Sequence, residues 1–442
     1  MTANKLSNQP PKGTSDWLPE EFSVRKYIFD TWRRVNRLFG YREYLTPILE
    51  SADIYRAKSG EDVGGKELLV IEDRGGRELA MRPEMTPSVT RMVSRIYMQE
   101  PKPIRLFSIA NFWRNESPQR GRNREFWQLN TDIFGSTSIE ADLEILGIAL
   151  EIMLSFRPPE KAFVLHLNHR HLIDAILKDM VGLPAESITQ AMRTLDKFEK
   201  LRPDEFRGLL GKLGINDYQA NQLFAFMKSE TVSELAALFP QLESVTGYQE
   251  INHISHTLYE AGYGDWIRFK PSMIRGFDYY DGMIFEVFDN HPDNNRALFG
   301  GGRYNGLGSL FGNQDIPAVG FAPGDETTRL FLESWQLTPE HVTAIEAVFL
   351  PLLDDSLKSA VNNLARRLRQ SGLAVEVGLE SQKFTKALSY ADKRKFQHVI
   401  ILGTNEREKG VVKLKNMKSG HEQEMTEDTL NNFFLPFKLK SL

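Results

Sequence analysis

Strand signals run as far as Leu167, vanish, and resume at Trp266, and this gap constrains the fold more than any single motif does. Residues 168–265 read as helical, punctuated by Pro184, Pro203, Pro240 and several glycines. A strandless stretch between two strand-rich halves is expected when one sheet is begun, interrupted by an insertion and then completed. The chain therefore divides into a first core segment at 1–167, a helical insertion at 168–265, a second core segment at 266–335 and a terminal unit at 344–442. At about 150 residues per domain, 442 residues suffice for roughly two to four separate cores.

Phe22, Tyr27, Ile28, Trp32, Val35 and Phe39 recur at near-helical spacing and Gly40 stops the run, which predicts a helix over 20–39. The β-prone stretch at 41–50 contains Pro47, which has no amide to donate and belongs at a strand end or edge. A hairpin is expected with strands near 68–72 and 78–81, then a helix over 86–97 and a strand over 104–113. Ser138 opens a strong amphipathic helix over 138–156, whose apolar stripe (Ile139, Leu143, Leu146, Ile148, Leu150, Met153) is core packing. Strands joined in succession by hairpins indicate an antiparallel sheet. Beyond a linker at 334–343, strand and helix alternate at 347–353, 356–371, 374–378, 384–393 and 398–402, the pattern of a small parallel α/β unit.

Several function classes are excluded at this level. The chain has no cysteine, which removes disulfides, thiol nucleophiles and thiolate metal sites together. Fifty-five Lys and Arg against 59 Asp and Glu give a net charge of -4, so any contact with nucleic acid must use local basic patches. The first residues lack the apolar core of a signal peptide and no run approaches bilayer length, so the expectation is a cytoplasmic protein with no membrane partner.

One such basic patch lies between Phe112 and Gln128, where strand, loop and strand carry Arg114, Glu116, Arg120, Arg122, Arg124 and Phe126. Guanidinium grips phosphate in a bidentate way and keeps its charge, so three arginines over five loop positions can hold several phosphate oxygens. Phe126 offers a flat face for a purine, and Arg114 and Glu116 share one face of the entering strand. The alternative is a solvated basic hairpin. Glycines 300–302 let a strand approach a ligand without Cβ hindrance, or form a bulge in an ordinary sheet. No P-loop is supported, because Leu307 and Gly308 stand where Lys and Ser or Thr are required. In the segment 274–286, Arg275 must face a carboxylate or an anionic ligand if buried, and of Tyr279 and Tyr280 only one can line a pocket if the segment is extended.

Taken together, Leu79-Ala-Met-Arg-Pro-Glu-Met-Thr86, the arginine loop, Arg275-Gly-Phe-Asp-Tyr-Tyr280 and Phe299-Gly-Gly-Gly-Arg-Tyr-Asn-Gly-Leu307 resemble the ordered signature set of histidyl-tRNA synthetases, class II aminoacyl-tRNA synthetases. The resemblance runs over nearly the whole chain. It implies an α+β fold: a class II antiparallel sheet flanked by helices, a helical insertion and a C-terminal α/β anticodon-binding domain. It further implies a homodimer, with the helix and strand ending at Pro47 similar to the family's dimer-building motif. Its activity would be ATP-dependent ligation of L-histidine to tRNA(His) through histidyl-adenylate, with Mg²⁺ on the ATP phosphates. A catalytically inactive paralogue serving as a histidine-sensing regulatory subunit is the alternative.

By the same resemblance Glu84, Thr86, Gln128 and Asp132 contact the amino acid, and Tyr280 and Tyr304, with Tyr279 adjacent, recognise its imidazole. Arg114 and Arg275 are the catalytic cations, and Arg114, Glu116, Phe126 and Arg329 hold ATP. Arg120, Arg122 and Arg124 are left to engage tRNA phosphates. Within Gly320-Phe-Ala-Pro-Gly-Asp-Glu-Thr-Thr-Arg329 the arginine stands two residues farther from the glycine than the family pattern has it, and Asp132 replaces the Glu of many bacterial forms. Elsewhere, His166, His169 and His171 read as surface or turn polar groups, and Arg366, Arg367 and Arg369 as a solvated helix face or, by the resemblance, part of an anticodon reader.

Overall fold

The computed structural model describes residues 6–57, 62–274, 280–312, 315–340 and 347–435, in two units divided between Thr338 and Pro339. The strands of the first unit are β1 (Arg42–Glu43), β2 (Leu49–Ser51), β3 (Val70–Glu72), β4 (Glu78–Met81), β5 (Ile104–Trp113), β6 (Glu125–Phe134), β7 (Phe163–His169), β8 (Ile267–Phe269), β9 (Tyr280–Asp289), β10 (Arg296–Tyr304) and β11 (Ala318–Phe321). An 8-stranded sheet runs in the order β1-β5-β6-β11-β10-β9-β7-β8, and β2-β4-β3 form a small second sheet. The sheet that stops at β7 is thus completed after the helical stretch, with Leu165 opposite Val287 across β7 and β9.

The inner strands pair antiparallel, as the hairpin pattern indicates, and each edge adds a parallel pair, β1 with β5 and β7 with β8. Parallel neighbours need a long crossover, and each pair has one: the small sheet with the helix Thr86–Ile96 in the first case, the helical stretch in the second. The expected strand at 41–50 breaks into β1 and β2, which belong to different sheets, with Pro47 between them.

The helix Pro19–Leu38 starts with Pro19 at its first turn, where a missing amide costs nothing, and Glu21 Oε2 accepts from the Leu18 amide at 3.2 Å. It ends at Gly40, whose φ of 82° suits a residue without Cβ. Its buried face carries Ile28, Trp32 and Val35, and burying each aliphatic residue contributes roughly 1.5–3 kcal/mol. That face covers the back of β6, where Trp127 packs tilted against Phe29 with ring centres 5.5 Å apart and Thr131 Oγ1 donates to Asn36 Oδ1 at 2.8 Å. The helix Ile139–Ser155 is capped by Ser138, whose side chain accepts from the Glu140 amide, and is buried on more faces than a single stripe.

Between β7 and β8 the chain is helical, with Ala185–Leu195, Pro203–Lys212, Asp217–Lys228 and Thr246–Leu258 as its longest helices. Its core residues Phe206, Leu210, Leu223 and Phe226 join the same apolar cluster as Leu146 and Phe163 beneath the sheet, and the whole stretch lies in the first unit.

In the second unit β12 (Val348–Leu350), β13 (Val375–Val377) and β14 (His398–Ile401) pair in parallel, with the helices Lys358–Gln370 and Phe384–Lys393 between them in sequence. An antiparallel hairpin, β15 (Val412–Asn416) and β16 (Glu422–Met425), extends this sheet beyond the expected parallel core. Among the described residues no helix is long and apolar enough to cross a membrane.

Candidate active site

Strand β6 builds the site by simple alternation. Phe126, Gln128, Asn130 and Asp132 point to one face and line a cavity of about 540 Å³, while Trp127, Leu129 and Ile133 face the core. Strand β10 and the turn after β11 form the other wall, with Arg296, Phe299, Gly300, Gly301, Tyr304, Glu326 and Thr327.

One end of the cavity is dry and polar. Asp132 is 4 % exposed, and the Tyr304 hydroxyl donates to its Oδ1 at 2.7 Å. Burial disfavours the charged carboxylate and pushes its pKa up to about 7, the tyrosine bond only partly opposing this. Gly320 lies beside it in β11, where any Cβ would collide with the carboxylate. Glu84, Thr86, Gln128 and Tyr280 line the same end, and burial together with the charges of Glu84 and Asp132 holds the Tyr280 phenol protonated. Gln128 is fixed by Nε2 donating to Ala322 O at 3.2 Å. Arg82, two residues before Glu84, is buried and donates to Thr46 O and Asn111 O, each at 2.8 Å, which pins the chain leading into the site.

The other end is cationic and more open. Arg114 donates from Nε to Pro83 O at 3.0 Å and lies 5.1 Å from the centre of the Phe126 ring, which itself stacks on Phe112 at 5.7 Å. Glu116 and Arg122 line this end and face each other at 3.8 Å. Arg120 is exposed and outside the lining; Arg124 is also outside it, with Nε donating to Glu116 O at 3.1 Å and its stem against Gly13.

Of the residues singled out in the sequence, the cavity brings together Glu84, Thr86, Arg114, Glu116, Arg122, Phe126, Gln128, Asp132, Tyr280 and Tyr304. Arg275 and Tyr279 lie outside the described residues. Arg329 is not on the wall: it pairs with Glu326 at 2.8 Å and Glu333 at 2.9 Å along its own helix, Asp325–Ser334. The wall instead carries Thr327 at that helix's start and Arg296 at the start of β10.

Among the lining residues not foreseen in the sequence are Asn130 and Arg296. Asn130 is 4 % exposed and its Nδ2 has no partner among the described residues, a costly state unless a ligand supplies an acceptor. Its signal was present, since it stands midway between Gln128 and Asp132 on a period-two strand. Arg296 had no such signal, because its neighbours in space are the loop residues Arg120 to Arg122.

The glycines of β10 are required by the sheet itself. A Cβ on Gly300 would lie 2.8 Å from Phe285 O and one on Gly302 2.7 Å from Met283 O, so close strand packing demands them, and Gly300 and Gly301 also border the cavity. Arg303, between Gly302 and Tyr304, turns away from the cavity. It pairs with buried Asp142 and donates to Ser136 O at 2.8 Å and Ser138 O at 3.0 Å. Of the three histidines read as surface groups, His169 is buried, with Nε2 2.7 Å from Glu250, and burial pushes the His166 pKa down to about 4.

Known proteins resemble this chain along nearly its whole length. A family described as Histidyl-tRNA synthetase matches residues 13–325, and one described as Anticodon binding domain matches residues 346–435. A histidine--tRNA ligase of Leptospira biflexa is 41% identical over 422 residues, covering 96% of each chain. One from Pyrococcus horikoshii is 34% identical over 421 residues, covering 93% of this chain and 95% of its own. The crystal structure of histidyl-tRNA synthetase from Nostoc sp. superposes with a TM-score of 0.84 at 22% identity, over 97% of this chain and 99% of that one, a likeness of fold.

Proposed function

Because the chain belongs to the histidyl-tRNA synthetase family, we propose that this cavity is where it joins ATP to L-histidine before transfer to tRNA(His). The protein is an ATP-dependent histidine–tRNA ligase of class II, acting through histidyl-adenylate. The observation that carries the site reading is the continuity of the cavity: a buried polar pocket around Asp132 and Tyr304 opens directly onto the Arg114 and Phe126 end.

In this reading Glu84, Gln128 and Asp132 receive the ammonium of histidine, Thr86 lies beside them, and Tyr280 and Tyr304 face the imidazole. Asn130, unpartnered between Gln128 and Asp132, supplies a further donor to the amino acid. Phe126 stacks on adenine, and Arg114 holds the α-phosphate, with Glu116 nearby. Attack of the histidine carboxylate on phosphorus spreads negative charge over the phosphoryl oxygens, so a fixed guanidinium stabilises the transition state more than the ground state. No general base is required, since the carboxylate is already ionised at neutral pH. Arg275, outside the described residues, is assigned the second cation on the strength of the resemblance.

Mg²⁺ would accompany the ATP phosphates. Glu116 and Glu326 are hard oxygen donors on the cavity wall, a donor set that fits a cation held mainly by phosphate and water. Its contribution when bound is to offset phosphate charge. The tRNA is met by the exposed Arg120 and Arg122 of the arginine loop, with Arg124 bracing that loop, and by the second unit, which matches the anticodon-binding family. Leu45, Ile48, Leu49 and Ile71 are exposed around the small sheet, which supports a homodimer formed through that region. Cytoplasmic residence follows from a role in translation. Nothing favours the regulatory-subunit reading, and the match to an anticodon-binding domain supports the enzyme.

The test is ATP–pyrophosphate exchange with each amino acid in turn. Exchange driven by histidine alone is expected, and no exchange with any amino acid by intact protein would end the proposal.

A further inference from the structure

We propose that Arg296 holds the distal phosphates of ATP and is the cation that Arg329 does not bring to this wall; this rests on the cavity being the ATP site. The argument begins with helix geometry. Thr327 and Arg329 are two residues apart on the helix Asp325–Ser334, about 200° of rotation, so when Thr327 faces the cavity Arg329 cannot. Arg329 is also satisfied where it is, between Glu326 at 2.8 Å and Glu333 at 2.9 Å. Thr327, fixed by Oγ1 donating to Leu298 O at 2.9 Å, carries no charge to replace it.

Arg296 comes to the same wall from β10. It is half-buried, and its Nη1 donates to Arg120 O at 2.8 Å, which ties β10 to the arginine loop across a sequence separation of 176 residues. The loop is shaped for it: Gly121 has a φ of 75°, and a Cβ there would collide with the Arg296 guanidinium. Among the described residues no carboxylate pairs with Arg296. Burial and the charges of Arg122 and Arg120 lower its pKa, with Glu326 the weakest influence, so like charges converge on one wall. A polyanion at this wall would relieve that repulsion, and the phosphate tail beyond the phosphorus at Arg114 is the polyanion this reaction supplies.

Exchange assays on Arg296→Ala, Arg296→Lys and Arg329→Ala test this. Arg296→Ala is expected to raise KM for ATP and for pyrophosphate about tenfold or more. KM for histidine and inhibition by AMP should stay within about twofold, because AMP lacks the distal phosphates. Lysine should recover part of the loss, and Arg329→Ala should leave KM for ATP near wild type. A brace role alone would weaken AMP as much as ATP, through displacement of the loop that leads into β6 and Phe126, and that result overturns the proposal. So does an unchanged KM for ATP in Arg296→Ala. Absence of exchange in the wild-type protein would instead defeat the assignment of the cavity to ATP.

Discussion

The two ends of the cavity are built on opposite principles. At the end proposed for the amino acid, selectivity would come from taking polar groups out of water: Asp132 and Glu84 are each 4 % exposed and Tyr304 is 3 % exposed, so a ligand that enters must offer groups that match them. At the end proposed for the nucleotide, Arg114 and Arg296 are half-buried and Arg122 is exposed, and the work would be done by charge already in place. The difference teaches where each kind of fault will show. Removing a group from the dry end should alter which ligand binds and at what pH, while removing one from the charged end should alter rate and phosphate affinity.

The largest effect should follow from Arg114→Ala. If Arg114 is the fixed cation proposed for the reacting phosphorus, its loss is expected to lower kcat of exchange roughly 10²–10³-fold, with KM for histidine little changed. Equal losses in kcat and histidine affinity would erase the distinction between the two ends.

Asp132→Asn comes next, with KM for histidine expected to rise about 100-fold as a charge-assisted contact to the ammonium is lost. The same change should stabilise the empty protein. In the fold this carboxyl titrates near pH 7 rather than in its usual range. Between about pH 4 and 7 the folded chain therefore keeps a proton that the unfolded chain has released, so its contribution to stability falls as pH rises through that window. Above about pH 7 the strain is fully present, of order a few kcal/mol at most, and asparagine removes it. Thermal melts at pH 8 should show the variant melting higher than wild type; a lower melting point would mean that Asp132 is ionised and well paired in the empty pocket.

Part of the dry end was legible in the sequence: a strand's alternation carries Gln128 and Asp132 to one face, while their roles came from the resemblance. The charged end was legible only in its hairpin. Arg296 acts from far away in the chain, and Arg329 was misleading because spacing along a sequence does not give rotation about a helix until the helix start is known. The hairpin β15–β16 was hidden for a related reason. Its Lys413, Lys415, Glu422 and Glu424 alternate with apolar residues on only one of the strands, so half of the pair lacks the period-two signal. Nor could the sequence tell that the helices of 168–265 share a core with the sheet, since an apolar stripe does not name the surface that it buries against.

A milder test of the dry end is its pH response. If histidine's ammonium requires the ionised Asp132, KM for histidine should climb up to about tenfold per pH unit below pH 7, and in Asp132→Asn only the part due to the substrate's own imidazole should remain. A profile identical in both proteins would remove Asp132 from the ammonium site.

The smallest effects concern the outer face of the arginine loop, where the geometry separates residues that look equivalent in sequence. Arg120 is exposed and, among the described residues, only its carbonyl is engaged, by Arg296, so Arg120→Ala should leave exchange unchanged and raise KM for tRNA only a few-fold, more at low salt than at high. Arg124 is held by Glu116 O and packs its stem on Gly13, so Arg124→Ala should loosen the loop itself and slow exchange as well as transfer. If Arg120→Ala slows exchange while Arg124→Ala spares it, the loop's inner and outer faces have been assigned the wrong way round, and the nucleotide end of the cavity extends farther toward solvent than its lining indicates.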